Sequence, residues 1–96
     1  MSGMELLNHY KQKIKLIGEE NGISNIRIFG SVIRNEDGTD SDIDLLIEVD
    51  EDRTLFDVIR FKYSVEHLLG REVDVISDRA VHKSLKTEII DKAIQL

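Results

Sequence analysis

The sequence predicts an α+β domain, α/β-like in its middle. It should be a small mixed β-sheet of about three to four strands with helices packed on it, in the order α-β-(loop)-β-α-β-α. Three observations carry this prediction. Residues 4–20 repeat apolar positions at helical spacing, and two β-branched apolar runs near 25–29 and 43–49 flank a turn-rich segment. Residues 43–77 then read strand, helix, strand, which calls for a crossover between parallel neighbours.

Taken in order, Leu6, Leu7, Tyr10, Ile14 and Ile17 recur at steps of three and four with lysines between them, and Asn21-Gly22 closes that helix. Residues 25–29 form a short strand ending at Gly30, and 35–41 are rich in turn formers and read as an exposed loop. Residues 43–49 are the most apolar run and should be a central strand. An N-cap within 52–54 opens a second helix, with Leu55, Phe56, Ile59, Tyr63 and Leu68-Leu69 as its apolar positions and Gly70 as its stop. Residues 71–77 supply a third strand through Val73, Val75 and Ile76. A last helix, capped by Asp78 or Ser84, carries a stripe of Leu85, Ile89, Ala93 and Ile94. The first two strands, joined by a loop, are expected to be antiparallel.

Composition narrows the function classes. Ninety-six residues, 41% apolar and 33% charged, suit one soluble domain over 1–96 without a second substrate-binding domain. Cysteine is absent, which excludes disulfides and thiolate metal sites. No apolar run reaches membrane-spanning length and the N-terminus does not read as a signal peptide, so a cytoplasmic protein is expected. The net charge of −6 is unevenly spread. Residues 36–52 hold nine acids and no base, leaving ten acids against thirteen bases, a net of +3, elsewhere. No basic stripe advertises nucleic-acid binding. Most of the acidic run reads as solvated loop.

Two of its members stand apart. On a strand, residues two apart share a face, so Asp42 and Asp44 project together while Ile43 and Leu45 point the other way. Paired carboxylates repel unless a cation lies between them, and oxygen-only ligands suit Mg²⁺, which takes one or two carboxylates plus substrate phosphates. Asp74 shares a face with Glu72 and Ile76, and it joins the pair if its strand lies beside 43–49. Three carboxylates from two strands fit a two-metal site for phosphoryl or nucleotidyl transfer. Upstream, Gly30 allows a sharp turn close to a phosphate, the Ser31 hydroxyl can bind phosphate oxygens, and Arg34 can add charge-assisted contacts. Competing motifs fail. There is no Gly-Lys-Ser/Thr of a P-loop, no glycine triplet of a dinucleotide fold, and a calcium loop centred on Gly38 would place Ile33 at its first ligand position. His9, His67 and His82 show no metal spacing and read as surface residues on helices.

Gly30-Ser31, ten residues, then Asp42-Ile43-Asp44 resembles the signature of the minimal nucleotidyltransferase (MNT) domains of the polymerase-β-like nucleotidyltransferase superfamily. The likeness extends to Ser41, Leu45-Leu46-Ile47, Val73-Asp74-Val75 and the closing stretch 85–94. It implies that Asp42 and Asp44 bind two Mg²⁺ ions, that Asp74 is third ligand and base, and that Gly30 and Ser31 hold the triphosphate of ATP. One departure stands out: after Gly-Ser-x the family's small residue, arginine and glycine are here Ile33, Arg34 and Asn35. The arginine is kept, and loss of the glycine implies a stiffer loop. The resemblance further implies an antitoxin paired with a HEPN ribonuclease toxin, to whose tyrosine AMP is transferred from ATP. The short chain agrees, since the acceptor-binding surface must come from another molecule or a second copy. The alternative is a non-catalytic antitoxin that neutralises its partner by contact. A small-molecule acceptor is the weaker third reading, because nothing encloses one.

Overall fold

In the computed structural model, four strands form one mixed sheet in the order β3-β2-β1-β4. The structure describes residues 3–29, 43–77 and 93–96. The strands are β1 (Ile23–Phe29), β2 (Ile43–Val49), β3 (Val73–Ser77) and β4 (Ile94–Gln95), and the helices are α1 (Gly3–His9), α2 (Lys11–Glu20) and α3 (Leu55–Leu69). β1 and β2 are antiparallel, and β2 and β3 are parallel, as the loop and crossover connections predict.

β2 lies inside the sheet because its residues are apolar on both faces. Ile43, Leu45 and Ile47 are buried together with Phe61, Val65 and Leu69 of α3, Ile14 of α2 and Val73 of β3, and this is the core. Leu46 is equally buried, yet it points to the opposite face, outside that cluster.

β1 begins two residues earlier than the β-branched run suggests, because a bulge resets its parity. Ser24 lies opposite Glu48 and Arg27 opposite Leu46, so β1 carries one extra residue there. Asn25 absorbs the bulge at φ 47° and donates from Nδ2 to Glu48 Oε1 at 2.9 Å. Strict alternation would set Ile23 against Ile26 and Ile28; with the bulge, all three are buried.

The first predicted helix divides at Tyr10 into α1 and α2, although hydrogen bonds from Tyr10 N to Leu6 O and from Ile14 N to Tyr10 O run through the break. Gly18 brings α2 close to the sheet: a Cβ there would stand 3.0 Å from Ile23 O. Asn21 then ties α2 to α3, donating to Ile17 O at 2.8 Å and accepting from Arg60 Nη1 at 3.2 Å.

α3 corrects the sequence reading of its buried face. Leu55, Phe56, Ile59 and Tyr63 were expected to be apolar contacts, yet they point to solvent, Phe56 being 75% and Leu55 70% exposed. Phe61, Val65 and Leu69, at steps of four, face the sheet instead. The helix start agrees with this rotation. Thr54 N donates to Asp57 Oδ2 at 2.9 Å, completing a capping box that turns Asp57 inward beside Arg53 and Arg60. Gly70, at φ 68°, ends the helix in the left-handed conformation.

The final predicted stripe is corrected as well. Ile94 belongs to β4, opposite Ile28, and Leu96 N donates to Ile26 O. Leu85 and Ile89 of that stripe lie outside the described residues.

The rotation of α3 is tested by comparing two phenylalanines in dilute solution. Phe61→Ala should cost ~3–5 kcal/mol in a denaturant titration. Phe56→Ala should change stability by less than ~0.5 kcal/mol. A second test uses pH. The Thr54 N–H bond holds the Asp57 carboxyl below its ordinary value of 3.8, against the opposing effect of burial and with help from Arg53 and Arg60. A depressed folded value means the contribution is complete above the unfolded pKa and is lost as pH falls through the folded one. Asp57→Ala should therefore melt earlier than wild type at pH 7, with the gap closing below 3.8.

Candidate active site

The parallel register of β2 and β3 sets Ile43 against Val73, Asp44 against Asp74 and Leu45 against Val75. Ile43, Leu45 and Val73 are core residues. Asp44 and Asp74 therefore share the opposite face, side by side on strands about 4.8 Å apart. Asp44 is half-buried and Asp74 exposed. On the other flank of Asp44 its cross-strand partner is Phe29, so one row across the sheet reads Phe29, Asp44, Asp74. One row behind lie Arg27, Leu46 and Ile76, with the buried Leu46 at its centre.

Two backbone anchors hold this row. Ile43 N donates to Glu72 O at 3.0 Å, which starts the β2–β3 ladder just before the acids. Val73 N donates to Glu66 Oε2 at 2.9 Å, so the end of α3 grips the first residue of β3. Glu66 is a positioning residue that sequence reasoning missed. Its signal was present, because an acid in the last turn of a helix opposes the macrodipole and calls for a local reason. Phe29 was likewise read only as a strand end.

Of the residues singled out from the sequence, the structure brings Asp44 and Asp74 together. Gly30, Ser31, Arg34 and Asp42 lie outside the described residues. Among the described residues, no group of three or more histidines and acids is gathered for a metal ion. The Asp44–Asp74 pair nonetheless fits Mg²⁺ by donor chemistry, being two hard carboxylates on adjacent strands at the same level. His9 and His67 are exposed on helices, as expected, and His82 lies outside the described residues.

Comparison with known proteins decides the family. The profile described as "Polymerase beta, Nucleotidyltransferase" matches residues 12–96. The chain belongs to the polymerase-β nucleotidyltransferase family. It is 41% identical over 90 residues to a Methanocaldococcus jannaschii protein named protein adenylyltransferase MJ0435, covering 94% of this chain and 97% of the relative. A solved structure described as a minimal nucleotidyltransferase superposes with a TM-score of 0.90 at 38% identity, covering 100% and 97% of the two chains. A chain from a crystal structure of a toxin–antitoxin with AMP-PNP shares the fold at a TM-score of 0.74 and 20% identity, covering 88% of this chain and 70% of that one.

This nucleotidyltransferase is thus an enzyme with the minimal nucleotidyltransferase fold. Among its described residues no helix is long and apolar enough to cross a membrane.

Glu66→Ala separates anchoring from chemistry. Removing the carboxylate leaves the Val73 N–H without its partner and should cost ~1–3 kcal/mol of stability by thermal melting. Hydrogen exchange at Val73 and Asp74 should rise above that at Leu45 and Ile47.

Proposed function

We propose that this nucleotidyltransferase is an antitoxin that transfers AMP from ATP to a tyrosine hydroxyl of a HEPN ribonuclease toxin in the cytoplasm, releasing pyrophosphate. The observation that carries this reading is the alignment of Asp44 with Asp74 on adjacent parallel strands. The resemblance of Gly30-Ser31 and Asp42-Ile43-Asp44 to the minimal nucleotidyltransferase signature supports it. So do a relative named a protein adenylyltransferase and a structural neighbour described as a toxin–antitoxin with AMP-PNP.

In this reading Asp42, Asp44 and Asp74 hold two Mg²⁺ ions, with Gly30, Ser31 and Arg34 on the triphosphate. Bound there, Mg²⁺ supplies charge neutralisation for the phosphates and the leaving pyrophosphate. Asp74, on the exposed side of the pair, accepts the proton of the tyrosine hydroxyl. The phenolic oxygen forms its bond to the α-phosphorus, and the bond from that phosphorus to the bridging oxygen breaks. Half-buried Asp44 keeps its place in the row, backed by Leu46. Asn35, where the family's glycine is absent, favours one other reading, neutralisation by contact alone.

Incubation with labelled ATP, Mg²⁺ and the product of the neighbouring gene, tested as the toxin, distinguishes the two. Label should move to the toxin, and Asp42→Asn should abolish transfer while toxin binding persists. Asp74→Asn should slow transfer by ~10²–10⁴-fold. Neutralisation that survives Asp42→Asn unchanged, with no label transferred by wild type, would leave contact as the whole function.

A further inference from the structure

The face of the sheet that bears the acids also carries a cation set between two carboxylates. Arg27 of β1 lies opposite Leu46 of β2, and Asp44 and Glu48 flank Leu46 two residues to either side. Residues two apart on a strand share a face, so both acids stand on the face of Arg27, each at a diagonal position. Diagonal neighbours of an antiparallel pair lie ~7–8 Å apart, within reach of a long side chain. The Arg27 guanidinium therefore has two carboxylates to choose from, and one of them belongs to the Phe29, Asp44, Asp74 row.

It takes the other one. Arg27 Nη2 lies 3.8 Å from Glu48 Oε1. That carboxylate is held in turn by Asn25 of the bulge, whose Nδ2 donates to the same Oε1 at 2.9 Å. Arg27 needs an acid nearby because its side chain is only 12% exposed, so water reaches little of its charge. The pairing is nevertheless loose. At 3.8 Å it is an ion pair without a hydrogen bond, and among the described residues Arg27 Nε is buried with no hydrogen-bond partner. A guanidinium buried and held this loosely turns to its second carboxylate when the first loses its charge.

That move would act against a metal ion. A carboxylate oxygen bonded to arginine is denied to Mg²⁺, and the two positive charges repel at close range. We propose that Glu48 is a positioning residue that holds Arg27 off Asp44 and so keeps that carboxylate available to the divalent cation. The inference rests on the reading of Asp44 and Asp74 as metal ligands. Glu48 itself stands about 13 Å along β2 from Asp44, past the ~10 Å screening length of 0.1 M salt, so its own field at the metal is weak. Its effect passes through Arg27. The bulge gains a second role here, because Asn25, at φ 47°, is the residue that fixes the Glu48 carboxylate.

Mn²⁺ binding to the full chain, read as loss of the free-ion electron paramagnetic resonance signal, tests this without turnover. Wild type should bind the ion, and Asp44→Asn should lose that binding. Glu48→Gln keeps an acceptor for Asn25 and removes only the charge, at a side chain 47% exposed, so the fold tolerates it. It should weaken Mn²⁺ binding on the order of tenfold. Arg27→Met should bind at least as tightly as wild type. The double variant Arg27→Met, Glu48→Gln should match Arg27→Met, because the cation that would occupy Asp44 is gone. Glu48→Gln that binds Mn²⁺ like wild type overturns the inference and leaves the metal reading standing. A double variant as weak as Glu48→Gln alone equally overturns it, since Glu48 would then act by its own charge. Wild-type binding left unchanged by Asp44→Asn overturns the metal reading, and the inference with it.

Discussion

The structure turns on the pairing of β2 with β3 at one register. Because strand side chains alternate, a slip of one residue would carry Asp74 into the core and push Val73 and Val75 out. The core forbids that slip: Val73 is buried among Ile43, Leu45, Phe61 and Leu69. The position of two acids at the surface is therefore enforced by apolar residues on the other side of the same strands. The connection supports the same register. α3 has 15 residues and rises ~22 Å, close to the ~23 Å spanned by the seven residues of β2. The chain thus returns to the level at which β2 began before Gly70 turns it into β3, and Glu66 fixes Val73 there.

This arrangement places charge where burial would otherwise forbid it. Central strands of mixed sheets are apolar on both faces, and Leu46 shows that β2 follows the rule one row behind Asp44. The acids escape by lying at the first rows of the two strands, where the sheet ends. Carboxylates at such an edge have an apolar floor and rigid strands behind them. Those are the conditions under which a few well-placed carboxylates are held close to productive geometry.

Much of this was legible in the sequence. The strand–helix–strand reading of 43–77 gave the parallel pair, and alternation along Glu72-Val73-Asp74-Val75 gave the face of Asp74 correctly. The failures share a cause, which is that local pattern does not fix phase. α3 has two apolar faces, and periodicity alone favours the longer stripe from Leu55 to Tyr63. Burial of Phe61, Val65 and Leu69 against the sheet leaves that stripe outside, and the bond between Thr54 and Asp57 fits the same rotation. In β1 the alternation breaks at Asn25, and only the partner strand reveals that an inserted residue restores it. Ile94 fits a helical stripe by spacing, but its hydrogen-bonding partner is Ile28, sixty-six positions away in the chain.

The bulge at Asn25 also bears on the site. Counting back from Phe29, alternation puts Arg27 on the carboxylate face and Ile28 and Ile26 in the core. Without the extra residue, burying Ile23 would reverse that order and turn Phe29 into the core, with Ile28 beside Asp44. The bulge lets β1 satisfy the core at its start and still deliver Phe29 to the row of the acids at its end. The described chain leaves β1 at Phe29 and re-enters β2 at Ile43, one residue from Phe29's own partner, Asp44. Both strand ends, Phe29 and Ile43, are therefore fixed tethers beside Asp44 and Asp74. A single αL residue more than ten ångströms away along the strand is what keeps those tethers on the correct face.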